Sequence, residues 1–324
     1  MIRRGHLSRD TVHHADAVFD AVKSSSRAAQ SPVAASWCRS ALHHGLDPST
    51  QRRRERVSAR ELAAARDEHG ALLAIAAPVM DQLFRTVGRS GCGIVLSSSA
   101  GIVLERRSSD GDAAAFASVG LAPGGMWGEA EEGTNGIGTC LFEGRPVIIH
   151  RDQHFSSRNI GISCMDAPIY APNGQLIGAL DVTSCRDDHS QMMADMIASL
   201  VQETARTIER DYFARTYAEA RVIFTGDDPV LGSGLLAVDR DDMVVGASRA
   251  ARIRYRLTNE SLETPRSLAD VMGEEGGVSL HDGERGILRR ALAQTGGNAT
   301  RAAQVLGIGR ATLYRRMKKA GIEH

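Results

Sequence analysis

Lysine is nearly missing from this chain. Of 324 residues, 39 are Lys or Arg, yet the lysines are only Lys23, Lys318 and Lys319. None of them closes a glycine-rich loop as G-x-x-x-x-G-K-[ST] requires, which excludes a P-loop nucleotidase. The stretch WGEAEEGTNGIGTC (127–140) is where a phosphate cradle would otherwise be sought. Its Gly133, Gly136 and Gly138 do not fit G-x-G-x-x-G, and Glu129, Glu131 and Glu132 beside them would repel phosphate. Cysteine is sparse too: Cys38, Cys92, Cys140, Cys164 and Cys185 are odd in number, widely spaced and contain no C-x-x-C. That speaks against a disulfide framework and structural zinc, and for reduced thiols in a cytoplasmic protein. No run approaches the ~18 apolar residues of a membrane span, and MIRRGHLSRD lacks the apolar centre of a signal peptide. Formal net charge is zero, so the chain as a whole has no electrostatic preference for nucleic acid or membrane.

What is present divides the chain into four parts. Residues 1–62 read as helices and a basic turn. SPVAASWCRSALHHGLDP predicts a short helix opened by Pro32 and closed by Gly45, and QRRRER (51–56) a solvated loop. Ser58 with Glu61 makes a capping-box pattern that opens a helix running to about Phe84, with Leu62, Leu72, Ile75, Val79 and Leu83 on its apolar side. Residues 63–216 then change period. Ile94–Leu96 and Ile102–Leu104 predict a hairpin turning at Ser99–Gly101; RPVIIH predicts a further strand; and CMDAPIYAPNGQLIGALDVTS predicts two strands joined at Pro172-Asn173-Gly174. A helix at 134–143 lies between them, so an α+β domain is expected. The helix expected at 188–216 carries Met193, Ile197, Leu200, Thr204 and Ile208 near one stripe, which fits a core face and a dimer seam equally. Within 217–277, residues 234–257 predict strand, turn at Asp241-Asp242, strand and helix, and GEEGG (273–277) a linker.

Residues 278–324 carry the sharpest signal. One helix holds Ile287, Leu288, Ala291 and Leu292 and stops at Gly296-Gly297. Asn298 N-caps a second that packs Ala302, Ala303 and Leu306. After Gly307-Ile308-Gly309, a third runs from Arg310 to about Ala320 with Leu313 and Met317 inward. Two short helices around a glycine turn, the second studded with cations, predict a helix-turn-helix. Residues 284–324 contain nine cations against Glu284 and Glu323, a net +7 inside a chain of zero.

GNATRAAQVLGIGRATLYRRMKKAGI resembles the helix-turn-helix of the Fis family. That resemblance implies double-stranded DNA as a partner, with Arg310, Thr312 and Arg315 facing the major groove and backbone. Thr300, Arg301, Arg316, Lys318 and Lys319 would supply phosphate contacts. Gly309 stands at the N-cap where the family usually has a polar side chain, which removes one DNA contact.

With that segment in hand, SWCRSALHHGLDP, WGEAEEGTNGIGTCLFEGRPVIIHRDQHF and CMDAPIYAPNGQLIGALDVTS resemble the sensory region of acetoin-catabolism-type regulators. The resemblance implies a GAF domain, a six-stranded antiparallel sheet with a small-molecule pocket, followed by a degenerate PAS-like unit. The pocket wall would draw on Trp127, Asn135, Thr139, His154 and Cys164. Each has a plainer reading: a core anchor for Trp127, a loop brace for Asn135, buried small residues for Cys140 and Cys164, and a solvated edge for Glu129, Glu131 and Glu132. No cofactor is expected, with iron at His150 and His154 the outlying option.

Such regulators normally insert an ATPase that remodels sigma-54 polymerase. No P-loop and no GAFTGA motif stands here. The expectation is a non-enzymatic, homodimeric, effector-responsive DNA-binding regulator, acting by recruiting RNA polymerase, by occlusion or by shaping DNA. A thiol- or metal-based redox sensor or GAF-type reductase, and an architectural DNA binder with a vestigial sensor, are the alternatives.

Overall fold

Pro32 starts its helix as expected: the Ser31 hydroxyl accepts the Ala34 N–H at 3.3 Å. In the computed structural model, which describes residues 9–50, 54–264, 266–273 and 280–322, the described chain opens with three helices. They are α1 (Arg9–Lys23), α2 (Ser25–Gln30) and α3 (Pro32–Cys38), and α3 passes into a π turn over Arg39–His43 before Gly45 takes φ +66°. The chain forms two compact units, Met1–Pro265 and Arg266–His324. The start of the basic run, residues 51–53, lies outside the described residues.

The capping box forms as read. Ser58 Oγ accepts the Glu61 N–H and the Glu61 carboxylate accepts the Ser58 N–H. The helix it opens is not continuous, however. α4 (Ala59–Glu68) stops at His69, whose Nδ1 lies 2.9 Å from the Ala65 carbonyl, and α5 (Gly70–Val87) restarts after it. Glycine's poor helix propensity makes His69-Gly70 the weak point of the run.

Five strands make the first sheet: β1 (Cys92–Ser98), β2 (Val103–Arg107), β3 (Val147–His150), β4 (Ser163–Tyr170) and β5 (Leu176–Ser184). The order is β2-β1-β5-β4-β3, antiparallel throughout. The six strands implied by resemblance become five; beside β2 the pairing shrinks to an isolated Ile102–Met126 bridge. Alternation sorts the strands into two faces. Ile94, Leu96, Met165, Ala167, Leu180 and Val182 share one core with α5 and with the later helix Gln191–Thr216, and Val95, Val103 and Cys164 share another with Trp127, Phe116 and Ile137. The second face carries α6 (Ala113–Ser118), α7 (Glu129–Glu132) and α8 (Gly136–Glu143).

α9 (Gln191–Thr216) buries Ala194, Ile197, Ala198, Val201, Ala205, Ile208 and Phe213. The stripe read from the sequence was partly wrong: Leu200 is 42% exposed, and Met193 and Thr204 are half-buried. Alanines replace them at the contact because the helix lies close on the sheet, where small side chains allow approach.

Past α9 comes a second antiparallel sheet, β6 (Arg221–Asp228), β7 (Gly232–Val238) and β8 (Val244–Ala247), in that order, with α10 (Arg249–Tyr255) and α11 (Asn259–Glu263) after it. The turn falls at Asp241-Asp242, with Asp239 Oδ1 accepting the N–H groups of Asp241 and Met243 at 2.9 Å each. Phe213 at the end of α9 packs with Tyr217 on Leu235 and Ala237 of β7.

The second unit holds α12 (Leu268–Met272), α13 (Leu280–Gln294), α14 (Ala299–Val305) and α15 (Arg310–Lys319). Of the expected GEEGG linker, residues 274–277 lie outside the described residues. Leu288, Ala291, Ala302, Ala303, Leu313 and Met317 form the core of the three helices. Ile287, expected inside, is 49% exposed, one helical position off the contact.

Candidate functional site

α14 and α15 meet across the Gly307 turn (φ +65°), and Asn298 Oδ1 accepts the Arg301 N–H at 3.1 Å to start α14. α15 begins at Gly309 without a side-chain cap, as expected. With Leu313, Met317 and Ala320 inward, the opposite face presents Arg310, Tyr314 and Lys318 in one row and Ala311 and Arg315 in the next. Thr300, Arg301, Arg316 and Lys319 are also exposed, whereas Thr312 is half-buried. Arg316 reaches Glu284 of α13 at 3.4 Å. Tyr314 escaped the sequence reading: its ring centroid lies 5.6 Å from the Arg310 guanidinium, four residues on.

In the first unit the glycine-rich stretch is a joint rather than a cradle. Asn135 Oδ1 accepts the Gly138 N–H at 2.8 Å, and Asn135 Nδ2 donates to the Gly133 carbonyl at 2.8 Å, so the side chain braces its own loop. A Cβ on Gly136 would lie 2.1 Å from Asp166 Oδ2 and 2.5 Å from Cys164 Cβ; only glycine lets α8 press onto β4. Glu129 and Glu132 are no solvated edge but 5% and 3% exposed. Arg39 grips Glu129 with two bonds of 2.5 and 2.8 Å, and Glu132 accepts from Arg54 at 3.0 Å and from Arg158. Trp37 Nε1 donates to the Gln153 carbonyl at 2.8 Å, and Ser36 and Thr134 hydroxyls lie 2.7 Å apart. The N-terminal helices are thereby clipped onto the sheet domain.

The five pocket residues drawn from resemblance fall in different places. Trp127 is 1% exposed and donates Nε1–H to the Gly120 carbonyl at 3.1 Å, in the same apolar cluster as Cys164. Asn135 and Thr139 share the first turn of α8, where Thr139 Oγ1 accepts the Asn135 N–H at 3.2 Å. His154 and Cys164 do meet, Nε2 to Sγ at 3.5 Å, with His154 Nδ1 2.9 Å from the Arg151 carbonyl. Burial lowers His154 to about 4, keeping it neutral, and pushes the Cys164 thiol up. Burial likewise raises Cys92 and Cys140 and lifts Cys185 to about 11, so none of these four is the depressed thiolate that the redox alternative needs. His150 Nδ1 pairs with Ser163 Oγ at 2.8 Å, and no three His, Cys, Asp or Glu among the described residues converge as metal ligands.

Beneath α8 sit two buried acids that the sequence reading did not single out. Asp166 and Asp181 face each other across β4 and β5. Thr183 donates its hydroxyl to Asp181 at 2.7–2.8 Å, while both Asp166 oxygens lack a donor among the described residues. Burial, then the neighbouring Asp181, pushes Asp166 well above the carboxylate range, and burial lifts Asp181 to about 7. The signal was present as aspartates at the same alternation phase as Cys164 and Thr183, but period alone does not reveal that no cation among the described residues covers them.

A cleft of about 290 Å³ opens at the β3 edge of the sheet. Of the five residues above, Thr139 lines it. Pro32, Val33 and Ser36 of α3, Glu143, residues 145–149, and Ala198 and Gln202 of α9 complete the wall.

Comparison with known proteins follows the same division. Residues 71–209 match the GAF domain family, and residues 279–319 match the family described as bacterial regulatory protein, Fis family. The acetoin catabolism regulatory protein of Cupriavidus necator is 25% identical over 222 residues, covering 67% of this chain and 33% of that protein. The propane 2-monooxygenase operon transcriptional activator MimR of Mycolicibacterium smegmatis is 30% identical over 200 residues, 56% of this chain and 34% of its own. The chain thus spans about a third of the length of these curated relatives. Among solved structures, the E. coli DhaR(N)–DhaL complex contains a chain of like fold, with a TM-score of 0.50 at 16% identity, covering 74% of this chain and 81% of that one. The chain carries a GAF domain over residues 71–209 and a Fis-family bacterial regulatory helix-turn-helix over residues 279–319.

Proposed function

We propose that the protein is a cytoplasmic, homodimeric, effector-responsive transcription regulator whose GAF domain binds a small molecule and governs DNA binding by the helix-turn-helix. The exposed row Arg310, Tyr314, Lys318 with Arg315 beside it, inside a segment of net +7, is the observation that carries it. An arginine in that row reads guanine edges with two bonds, while the lysines anchor phosphates. Thr300, Arg301, Thr312, Arg316 and Lys319 are assigned to the same interface. The curated relatives named above are a regulatory protein and an operon activator, which supports regulation of transcription as the output.

The regulator works without ATP hydrolysis. Residues 210–278, between the two family matches, carry no glycine-lysine phosphate loop, and the described part of them holds the β6–β8 sheet. RNA polymerase is therefore recruited, blocked or served by shaped DNA rather than remodelled. Arg310→Ala is expected to remove sequence-specific protection in DNase footprinting while leaving the thermal transition of the sensor in place. A footprint that survives this substitution rejects the assignment.

A further inference from the structure

We propose that the cleft at the β3 edge is the effector site, and that it takes an uncharged, mainly apolar molecule bearing one hydroxyl or carbonyl group. The proposal rests on the effector-responsive reading above and places the ligand where that reading does not. Trp127, Asn135, His154 and Cys164 are packed and hydrogen-bonded within the core, so a ligand there would have to displace structure. The cleft is already open.

Its size sets the ligand. A volume of about 290 Å³ stands between the ~150 Å³ cavity that holds benzene and the lower end of drug-sized pockets. Its walls set the polarity. Val147 and Ile148 are half-buried β-branched residues on an edge strand, and Pro32, Val33, Pro146 and Ala198 surround them. Covering that surface is favourable for any apolar body. The charges on the rim are engaged with one another: Glu143 reaches Arg145 at 3.3 Å and Arg39 at 3.4 Å. A charged ligand would have to break this pairing, whereas a neutral one leaves it whole.

Two polar groups in the wall retain hydrogen-bonding capacity. Thr139 Oγ1 accepts from a backbone N–H, which leaves its own proton without an acceptor among the described residues. The Gln202 amide has no side-chain partner among them either. Ser36, by contrast, is spent on Thr134 and Arg39. Thr139 and Gln202 are thus the wall groups available to a hydroxyl or carbonyl on the ligand.

The position explains how binding would be felt. Gln202 and Ala198 belong to α9, which continues to Phe213 on the second sheet. Pro32 and Val33 belong to the N-terminal helices, outside the 71–209 family match, so the roof is supplied from beyond the GAF core.

The test is saturation-transfer NMR on the full chain with benzyl alcohol, benzoate and benzylamine at equal millimolar concentration. Transfer is expected to benzyl alcohol and not to the two charged analogues. Val33→Trp, which adds bulk from the half-exposed roof, and Ala198→Phe, which adds it from the floor, are each expected to abolish the signal. Gln202→Leu is expected to weaken benzyl alcohol about tenfold, the loss of one hydrogen bond. Absence of transfer in the native chain, preference for benzoate or benzylamine, or undiminished transfer in folded Val33→Trp overturns the site. Transfer is measured without DNA and footprinting without probe. A chain that protects its operator but ignores benzyl alcohol therefore refutes the cleft and spares the regulator, and the converse refutes the DNA-binding reading alone.

Discussion

Asp166 sits in an environment far from what its type prefers. A carboxyl with no donor among the described residues, opposite a second carboxyl to which its own proton can bond and beneath a helix that leaves no space, folds most readily when protonated. Because both pKa values are raised, the contribution to stability is whole below the unfolded value near 4 and is lost as pH climbs, Asp181 titrating at about 7. The urea midpoint of the native chain is accordingly expected to fall between pH 5.5 and pH 8. Asp166→Asn gives Asp181 an amide donor and removes one charge, so it should flatten that slope and gain on the order of 1–3 kcal/mol at pH 8. An unchanged slope in the variant refutes the coupling. At this scale the sequence was informative where a side chain acts locally: Ser58, Glu61, Asn298 and the brace formed by Asn135 all follow from chain neighbours. Glu129 and Glu132 were misread as a solvated edge because their arginines, Arg39, Arg54 and Arg158, come from distant positions that no local pattern connects.

Among the elements, α9 joins the two sheets of the first unit. Its first part lies on β4 and β5 through alanines, and Phe213 closes on β7. Phe213→Ala should cost about 3–5 kcal/mol, the usual range for a buried phenylalanine, if the two sheets unfold together. Biphasic urea unfolding in the variant, with the first phase confined to residues 217–264 by hydrogen exchange, would instead show that the second sheet is held mainly by this contact. The length and position of α9 were legible from its period, but its buried stripe was not. Alanine at 194, 198 and 205 gives a weak hydrophobic signal yet suits close helix–sheet approach better than Met193 or Leu200. β6 escaped notice for a related reason: RVIFTGDD mixes charge with apolar residues, and Val222 and Phe224 remain 37% and 59% exposed. The strand is defined by its pairing with β7 rather than by burial.

For the whole molecule, zero net charge conceals a division. Nine of the cations fall within residues 284–324, so the rest of the chain carries a matching net −7. The acidic remainder disfavours non-specific DNA contact while the basic helices seek it, which makes binding strongly salt-dependent. Lys318→Ala should reduce the slope of log K against log salt by about 0.9, one phosphate contact, with little change in sequence preference; a shifted preference would move Lys318 from anchoring to base reading. In a two-fold dimer, footprinting should also find half-sites ~10 bp apart between centres.

The arginine clip on Glu129 and Glu132 has a practical consequence for dissecting this protein. A fragment cut at the GAF family boundary, residues 71–209, would retain both glutamates but discard Arg39 and Arg54. It would leave Glu129 without Arg39 and Glu132 with Arg158 but without Arg54, and would strip Thr134 and the Gln153 carbonyl of their partners on α3. Such a fragment is expected to be insoluble or molten, whereas one beginning at Arg9 should unfold cooperatively; the autonomous sensor is longer than its family signature.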